Sequence, residues 1–241
     1  MKLADENPLP TDGEVVLEET EHVYTARGVV VPRSVTNLVQ EDYPFDKEEI
    51  IRKNLWTWRH RASSPYHKLV KGVGDFEAVQ NVVRHWDAIA DAGTAMHRQC
   101  ENYLNGLPTV GFPKEIAQLK AAVEGWEIVP IRSELSVAVF GADGAPVVAG
   151  QIDLLAEVDD ELYICDFKRT TKDLSSGSEQ HAKYSLQTSL YWVMLEKFTK
   201  LKITGCALIQ LHEDIEEAFV VRCLDRRERA RELLAKYEAS I

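Results

Sequence analysis

At 241 residues, with 45% hydrophobic and 28% charged side chains, the chain has the size and composition of a globular protein with a real core. A net charge of −11 excludes a protein that coats nucleic acid by bulk electrostatics, though not an enzyme that meets phosphate through metal ions or local basic patches. The four cysteines, Cys100, Cys165, Cys206 and Cys223, form no Cys-x-x-Cys pair, which excludes zinc and iron–sulfur sites of recognisable spacing. No apolar run reaches membrane-spanning length and Met1–Glu6 lacks a signal-peptide core, so an intracellular protein is expected.

Residues 1–20 are acidic and rich in Pro, Asp and Glu, and are expected to form a poorly ordered tail. The rest reads as a single domain: an N-terminal extension over 21–90, a core over 91–224 and a C-terminal helix over 225–241. His22–Thr25 and Gly28–Val31 flank a turn and predict a small hairpin, after which Ser34 can cap a short helix through Val39. Asp46–Arg61 reads as a helix with Ile50, Ile51, Leu55 and Trp58 on its apolar side. From Lys47 to Lys71 the charge turns positive, through Arg52, Lys53, Arg59, Arg61 and Lys68, with Trp56, Trp58 and Tyr66 interleaved. Basic residues among aromatics suit a single-stranded or frayed nucleic acid; an amphipathic helix with core tryptophans and a solvated basic face is the competing reading.

Phe76–Leu104 looks helical, with a break near Gly93. His97 and Glu101 are four apart and share a face; the small Gly93 and Ala95 would permit close approach of another element. Pro113–Glu124 is a further helix, and Ile128–Phe140 a strand with Glu134 in its middle, either solvated or near a metal. Two apolar runs follow, Val147–Glu157 and Leu162–Phe167, separated by Val158-Asp159-Asp160-Glu161, the pattern of a β-hairpin. Residues two apart on a strand share a face, so Asp166 and Lys168 point together, and pairing can bring Asp153 beside Asp166. Two carboxylates and an ammonium there suit a hard divalent cation with a lysine beside the reacting oxygen; the alternative for Asp-x-Lys is a solvated strand face.

Thr170–Gly177 reads as a loop, and Glu179–Lys197 as a helix on which Gln187 and Tyr191 share a face. Ile203–Leu211 and Glu217–Leu224 read as strands. The last helix mixes Arg226, Arg227, Arg229 and Arg231 with Glu228 and Glu232, as a solvated, ion-paired helix does.

The segments Gly93-Thr94-Ala95-Met96-His97, Gly150-Gln151-Ile152-Asp153, Asp166-Phe167-Lys168 and Gln187-Thr188-Ser189-Leu190-Tyr191, in this order, resemble the PD-(D/E)XK nuclease superfamily in its RecB-type branch. His22–Thr36 more loosely resembles the entry region of phage-type and mitochondrial exonucleases of that branch. The resemblance implies an α/β (α+β) restriction-endonuclease-like core, a central mixed β-sheet flanked by helices. It implies one or two Mg²⁺ or Mn²⁺ ions held by His97, Asp153, Asp166 and the Phe167 carbonyl, with either Glu101 or Glu134 as a further carboxylate. Lys168 would orient the attacking water, and Gln187 and Tyr191 would hold the phosphate; these and Ser34, Thr36, Arg52, Lys53, Arg59 and Arg61 would contact DNA. The clustered cysteines of the iron–sulfur members are absent, so no cluster is expected. The implied function is a DNA exonuclease leaving 5′-phosphates, in recombination, repair or replication, with a recombination or replication protein as a candidate partner. A structure-specific endonuclease and a non-catalytic DNA-binding module are the alternatives.

Overall fold

The computed structural model describes residues 2–18 and 23–239; His22, at the start of the expected first hairpin, lies outside them. In chain order the elements are α1 (Leu3–Glu6), β1 (Val15–Glu18), β2 (Val23–Ala26), β3 (Val29–Val30), α2 (Val35–Asp42), α3 (Lys47–His60), α4 (His67–Val70) and α5 (Asp75–Leu104). Then come α6 (Pro113–Gly125), β4 (Val129–Phe140), β5 (Pro146–Val158), β6 (Glu161–Arg169), α7 (Glu179–Thr199), β7 (Gly205–Leu211), β8 (Phe219–Arg222) and α8 (Arg227–Glu238). They form two compact units, Tyr43–Ala95 and the remainder up to Asp42 and from Met96.

The larger unit is built on a five-stranded mixed sheet of order β4-β5-β6-β7-β8, antiparallel except for the parallel β6–β7 pair that α7 connects. A crossover helix is what a parallel pair requires. The β5–β6 hairpin closes through Asp159 and Asp160, both at positive φ (54° and 60°), between the paired Val158 and Glu161. Two left-handed residues are what a two-residue hairpin loop needs, and Asp tolerates that region. On one face of the sheet, Leu154, Cys165, Phe167 and Ile209 pack with Met96 and Cys100 of α5 and Leu119 of α6. α7 is buried without interruption from Thr188 to Leu195 and contacts β4, β5, β6 and β7. Gly150 is obligatory at this junction: a Cβ there would lie 2.7 Å from Tyr191 Cε1 and 2.8 Å from Val35 Cγ2.

The acidic N-terminus is not a loose tail. Leu3 is buried and its N–H donates to Asn105 Oδ1 at 2.8 Å, across 102 residues. Asn7 Nδ2 donates to the Ile131 carbonyl at 3.1 Å, and the buried Arg132 donates to Asp12 Oδ1 at 2.7 Å and to the Asn7 carbonyl at 3.0 Å. Long-range polar partners thus fix a segment whose composition alone reads as disordered. β1 then pairs with β2, and β2 with β3, in a small antiparallel sheet.

The smaller unit holds α3, capped by Asp46, whose Oδ1 accepts the Glu49 N–H at 2.9 Å. Ile51, Leu55, Val70, Ala78, Val79 and Val82 form its core, with Trp58, Tyr66 and Trp86 against it. α5 runs without the break expected at Gly93, and a Cβ at Gly93 would meet nothing within 4 Å. That glycine is therefore no point of close approach, and Ala95 is exposed.

Candidate metal-dependent nuclease centre

β4 and β5 pair over almost their full length, and so do β6 and β7, but β5 and β6 pair only from Val158↔Glu161 to Leu154↔Cys165. Beyond that point the sheet forks. Asp153 and Asp166 are the next residues in register, opposite one another at the fork. The Phe167 N–H, past the end of the ladder, donates to Asp153 Oδ2 at 2.7 Å instead. His97, one residue along α5 from the buried Met96, sets its ring edge-on to Phe167 with centroids 5.9 Å apart, and its Nδ1 is 3.4 Å from Asp153 Oδ2.

Glu134 completes the group. It falls between the register pairs Ser133↔Leu154 and Leu135↔Ile152, opposite Asp153, so the two carboxylates share a face of the antiparallel pair. Its φ is +49°, in the left-handed region that a non-glycine residue enters at a cost of about 1 kcal/mol or more. Gln151, two residues from Asp153, donates its Nε2 to the Glu134 carbonyl at 3.3 Å. One ligand atom each from His97, Glu134 and Asp153 lie within 4.8 Å of one another. Of the two carboxylates left open by the sequence, Glu134 joins this group and Glu101 does not.

Beside it, Lys168 Nζ lies 2.6 Å from Asp166 Oδ2 and donates to Gln187 Oε1 at 3.3 Å; Gln187 Nε2 in turn lies 3.4 Å from the Tyr191 hydroxyl. Lys168 Nζ also sits over the Tyr184 ring, 4.5 Å from its centroid. Despite the lysine's proximity, Asp166 Oδ2 is buried and accepts no well-directed hydrogen bond. Burial outweighs the Lys168 ammonium and, with the charge of Asp153, pushes Asp166 up to about 6. Burial acts the same way on Asp153, but there the His97 ring, Lys168 and the Phe167 N–H prevail and hold the carboxyl below its usual range. Burial disfavours an imidazolium at His97, yet Asp153 outweighs it and raises the ring. Two carboxylates and an imidazole, from Glu134, Asp153 and His97, are a donor set that a divalent cation of the Mg²⁺ or Mn²⁺ type fits, while Asp166, paired with Lys168, stands outside that group.

The remaining candidates are Ser34 and Thr36 in the larger unit and Arg52, Lys53, Arg59 and Arg61 in the smaller. Ser34 caps α2, its Oγ accepting the Asn37 N–H at 3.4 Å, next to the β5 strand through the Ala149 N–H that donates to the Arg33 carbonyl at 3.0 Å; Thr36 is exposed. Arg52, Lys53 and Arg61 are exposed in the smaller unit, Arg52 in a pair with Glu48 at 3.1 Å. Arg59 is committed locally: it donates to the Val70 and Val73 carbonyls at 3.2 and 2.9 Å and pairs with Asp75 at 2.5 Å. Sequence reasoning missed Tyr184, although its spacing of three and seven residues from Gln187 and Tyr191 puts it on their helix face. It also missed Arg169, one residue past Lys168, which donates to Glu115 Oε1 at 3.2 Å and Glu213 Oε1 at 2.6 Å and so ties β6 to α6.

A forked mixed sheet carrying two opposed aspartates, an Asp-x-Lys strand and a histidine from a preceding helix defines a restriction-endonuclease-like core. The family model of the PD-(D/E)XK nuclease superfamily matches residues 60–239, and the chain belongs to that superfamily. No curated protein matches the sequence. Among solved structures, that of SSO0001 is similar at 12% identity, covering 84% of this chain and 82% of that one with a TM-score of 0.36, too low to carry an argument. Among the described residues no helix is long and apolar enough to cross a membrane.

Proposed function

We propose that the chain is a Mg²⁺- or Mn²⁺-dependent deoxyribonuclease of the RecB-type branch, acting as an exonuclease on DNA ends and leaving 5′-phosphates. The observation that carries this is the convergence of His97, Glu134 and Asp153 next to the Asp166–Lys168 pair at the fork. His97, Asp153, Asp166 and Glu134 would hold the cation, with the Phe167 carbonyl as a further donor. A cation bound there would supply Lewis acidity, giving a water nucleophile at neutral pH and offsetting charge on the phosphate.

The chain's own residues do the rest. Lys168, kept charged because Asp166 and Asp153 outweigh its burial, would orient the attacking water and stabilise the charge that develops on the phosphate oxygens. Gln187 accepts a hydrogen bond from the ammonium and its Nε2 lies near the Tyr191 hydroxyl, so these two groups would position the phosphate next to the scissile bond. Glu134, strained into the left-handed region, is held with its carboxylate on the Asp153 side by the strand pair around it. A role in recombination, repair or replication accords with chemistry confined to DNA ends.

The test uses end-labelled single- and double-stranded linear DNA and a covalently closed circle, each with Mg²⁺, Mn²⁺ or EDTA. Linear substrates should be shortened from their ends to 5′-phosphorylated products, only with metal, and the circle should stay closed. Cutting of the circle would give an endonuclease instead. Intact linear DNA under every metal condition would overturn the nuclease reading.

A further inference from the structure

From Ile50 to Gly74 the chain holds six Lys and Arg residues and no carboxylate, in a protein whose net charge is −11. This run covers α3 from Ile50 onward, past the Glu48 and Glu49 of its first turn, and the segment after it, all within the smaller unit. α3 buries Ile51 and Leu55, and Trp58 packs at 4.3 Å on Tyr66 and at 6.4 Å, edge-on, to Trp86. Trp56 does none of this: it is 72% exposed. Its indole lies against His60, centroids 4.6 Å apart and planes 30° from parallel. His60 Nδ1 is 2.8 Å from the Trp56 carbonyl, which can only accept, so that nitrogen carries the proton and the ring is fixed against the indole. Arg52, Trp56 and His60 follow one another at four-residue steps, so they form one stripe along the outer face of the helix, with Lys53 beside it.

The exposed Trp56 indole adds nothing to the core, and what sets it apart is its place between basic side chains on one helix face. We propose that this stripe is a stacking platform for single-stranded nucleic acid: Trp56, backed by His60, takes a base, and Arg52, Lys53 and Arg61 take the flanking phosphates. Duplex DNA hides its base faces, so the platform favours unpaired strand. The Arg52–Glu48 pair, about half exposed on both sides, is weak enough for a phosphate to displace. The readout is sequence-tolerant, since every base has a stacking face. The choice of nucleic acid among polyanions rests on the nuclease reading; the platform itself needs no catalysis.

The experiment is fluorescence anisotropy of labelled oligo-dT and of a labelled duplex with the full chain in EDTA, where no cleavage confuses the readout. Oligo-dT should bind more tightly than the duplex, with an affinity that falls as salt rises. Trp56→Ala should weaken oligo-dT about tenfold, Trp56→Phe less, and neither should alter the circular dichroism spectrum, because the side chain is outside the core. Unchanged oligo-dT binding by Trp56→Ala would overturn the proposal. So would displacement of oligo-dT by polyglutamate as readily as by unlabelled oligo-dT, which would make the face a general polyanion surface. Binding through Trp56 in a chain that cleaves nothing would sink the nuclease reading and leave the platform standing.

Discussion

Asp153→Asn is expected to lower metal-dependent DNA hydrolysis by about 10³-fold while leaving the protein folded. Asp153 has two separable duties. One oxygen accepts the Phe167 N–H at 2.7 Å, where the ladder between β5 and β6 ends, and an asparagine carbonyl can still accept that bond. The other duty is charge: the carboxylate faces His97, Glu134 and Lys168, and an amide brings none. Losing several kcal/mol of transition-state charge stabilisation, at 1.36 kcal/mol per tenfold, corresponds to about three orders of magnitude. Lys168→Ala should abolish hydrolysis similarly, and it should also cost stability, because it leaves the buried Asp166 carboxylate without the cation 2.6 Å away. The readout is the rate on end-labelled DNA with Mg²⁺ and Mn²⁺, alongside a thermal melt. Wild-type rates in either variant would remove these residues from the chemistry.

Gly150→Ala is expected to lower the melting temperature by about 2–12 °C and to reduce activity as well. The added methyl would sit 2.7 Å from the Tyr191 ring and 2.8 Å from a methyl of Val35, both fixed by packing. Overpacking of this kind costs about 1–3 kcal/mol, and a domain of this size loses about 2–4 °C per kcal/mol. Relief requires moving Tyr191, and Gln187 is 3.4 Å from its hydroxyl and hydrogen-bonded to Lys168, so the displacement reaches the site. A Cβ added at Gly205 would clash similarly, 2.5 Å from the Tyr163 ring. Gly205→Ala should therefore cost stability without changing the rate per folded molecule. Calorimetry with active-site titration separates the two; equal rates per folded molecule in Gly150→Ala would show that Tyr191 does not need its place.

Local pattern made part of this legible. The central hairpin, its Asp-Asp turn and the shared direction of Asp166 and Lys168 follow from strand alternation and turn chemistry alone. The helix bearing Gln187 and Tyr191 follows from periodicity. What could not be read depends on distant parts of the chain. The end of the β5–β6 ladder, which leaves Asp153 and Asp166 as the next residues past the pairing, is a register event invisible in either strand. Glu134, rather than Glu101, meets His97 and Asp153 because it falls opposite Asp153 in the β4–β5 pairing, which neither strand shows by itself. Composition alone does not show that Leu3, Asn7 and Asp12 find partners more than a hundred residues away. Arg59 looked like part of a basic face, yet it holds its own loop through two carbonyls.

The most direct measurement is the position of manganese in crystals soaked with Mn²⁺, read from its anomalous scattering. The ion should appear at the fork of β5 and β6, touching Asp153 together with His97 or Glu134 and within reach of Asp166. A well-occupied ion elsewhere, with none at these side chains under soaking conditions that support hydrolysis, would contradict the central claim.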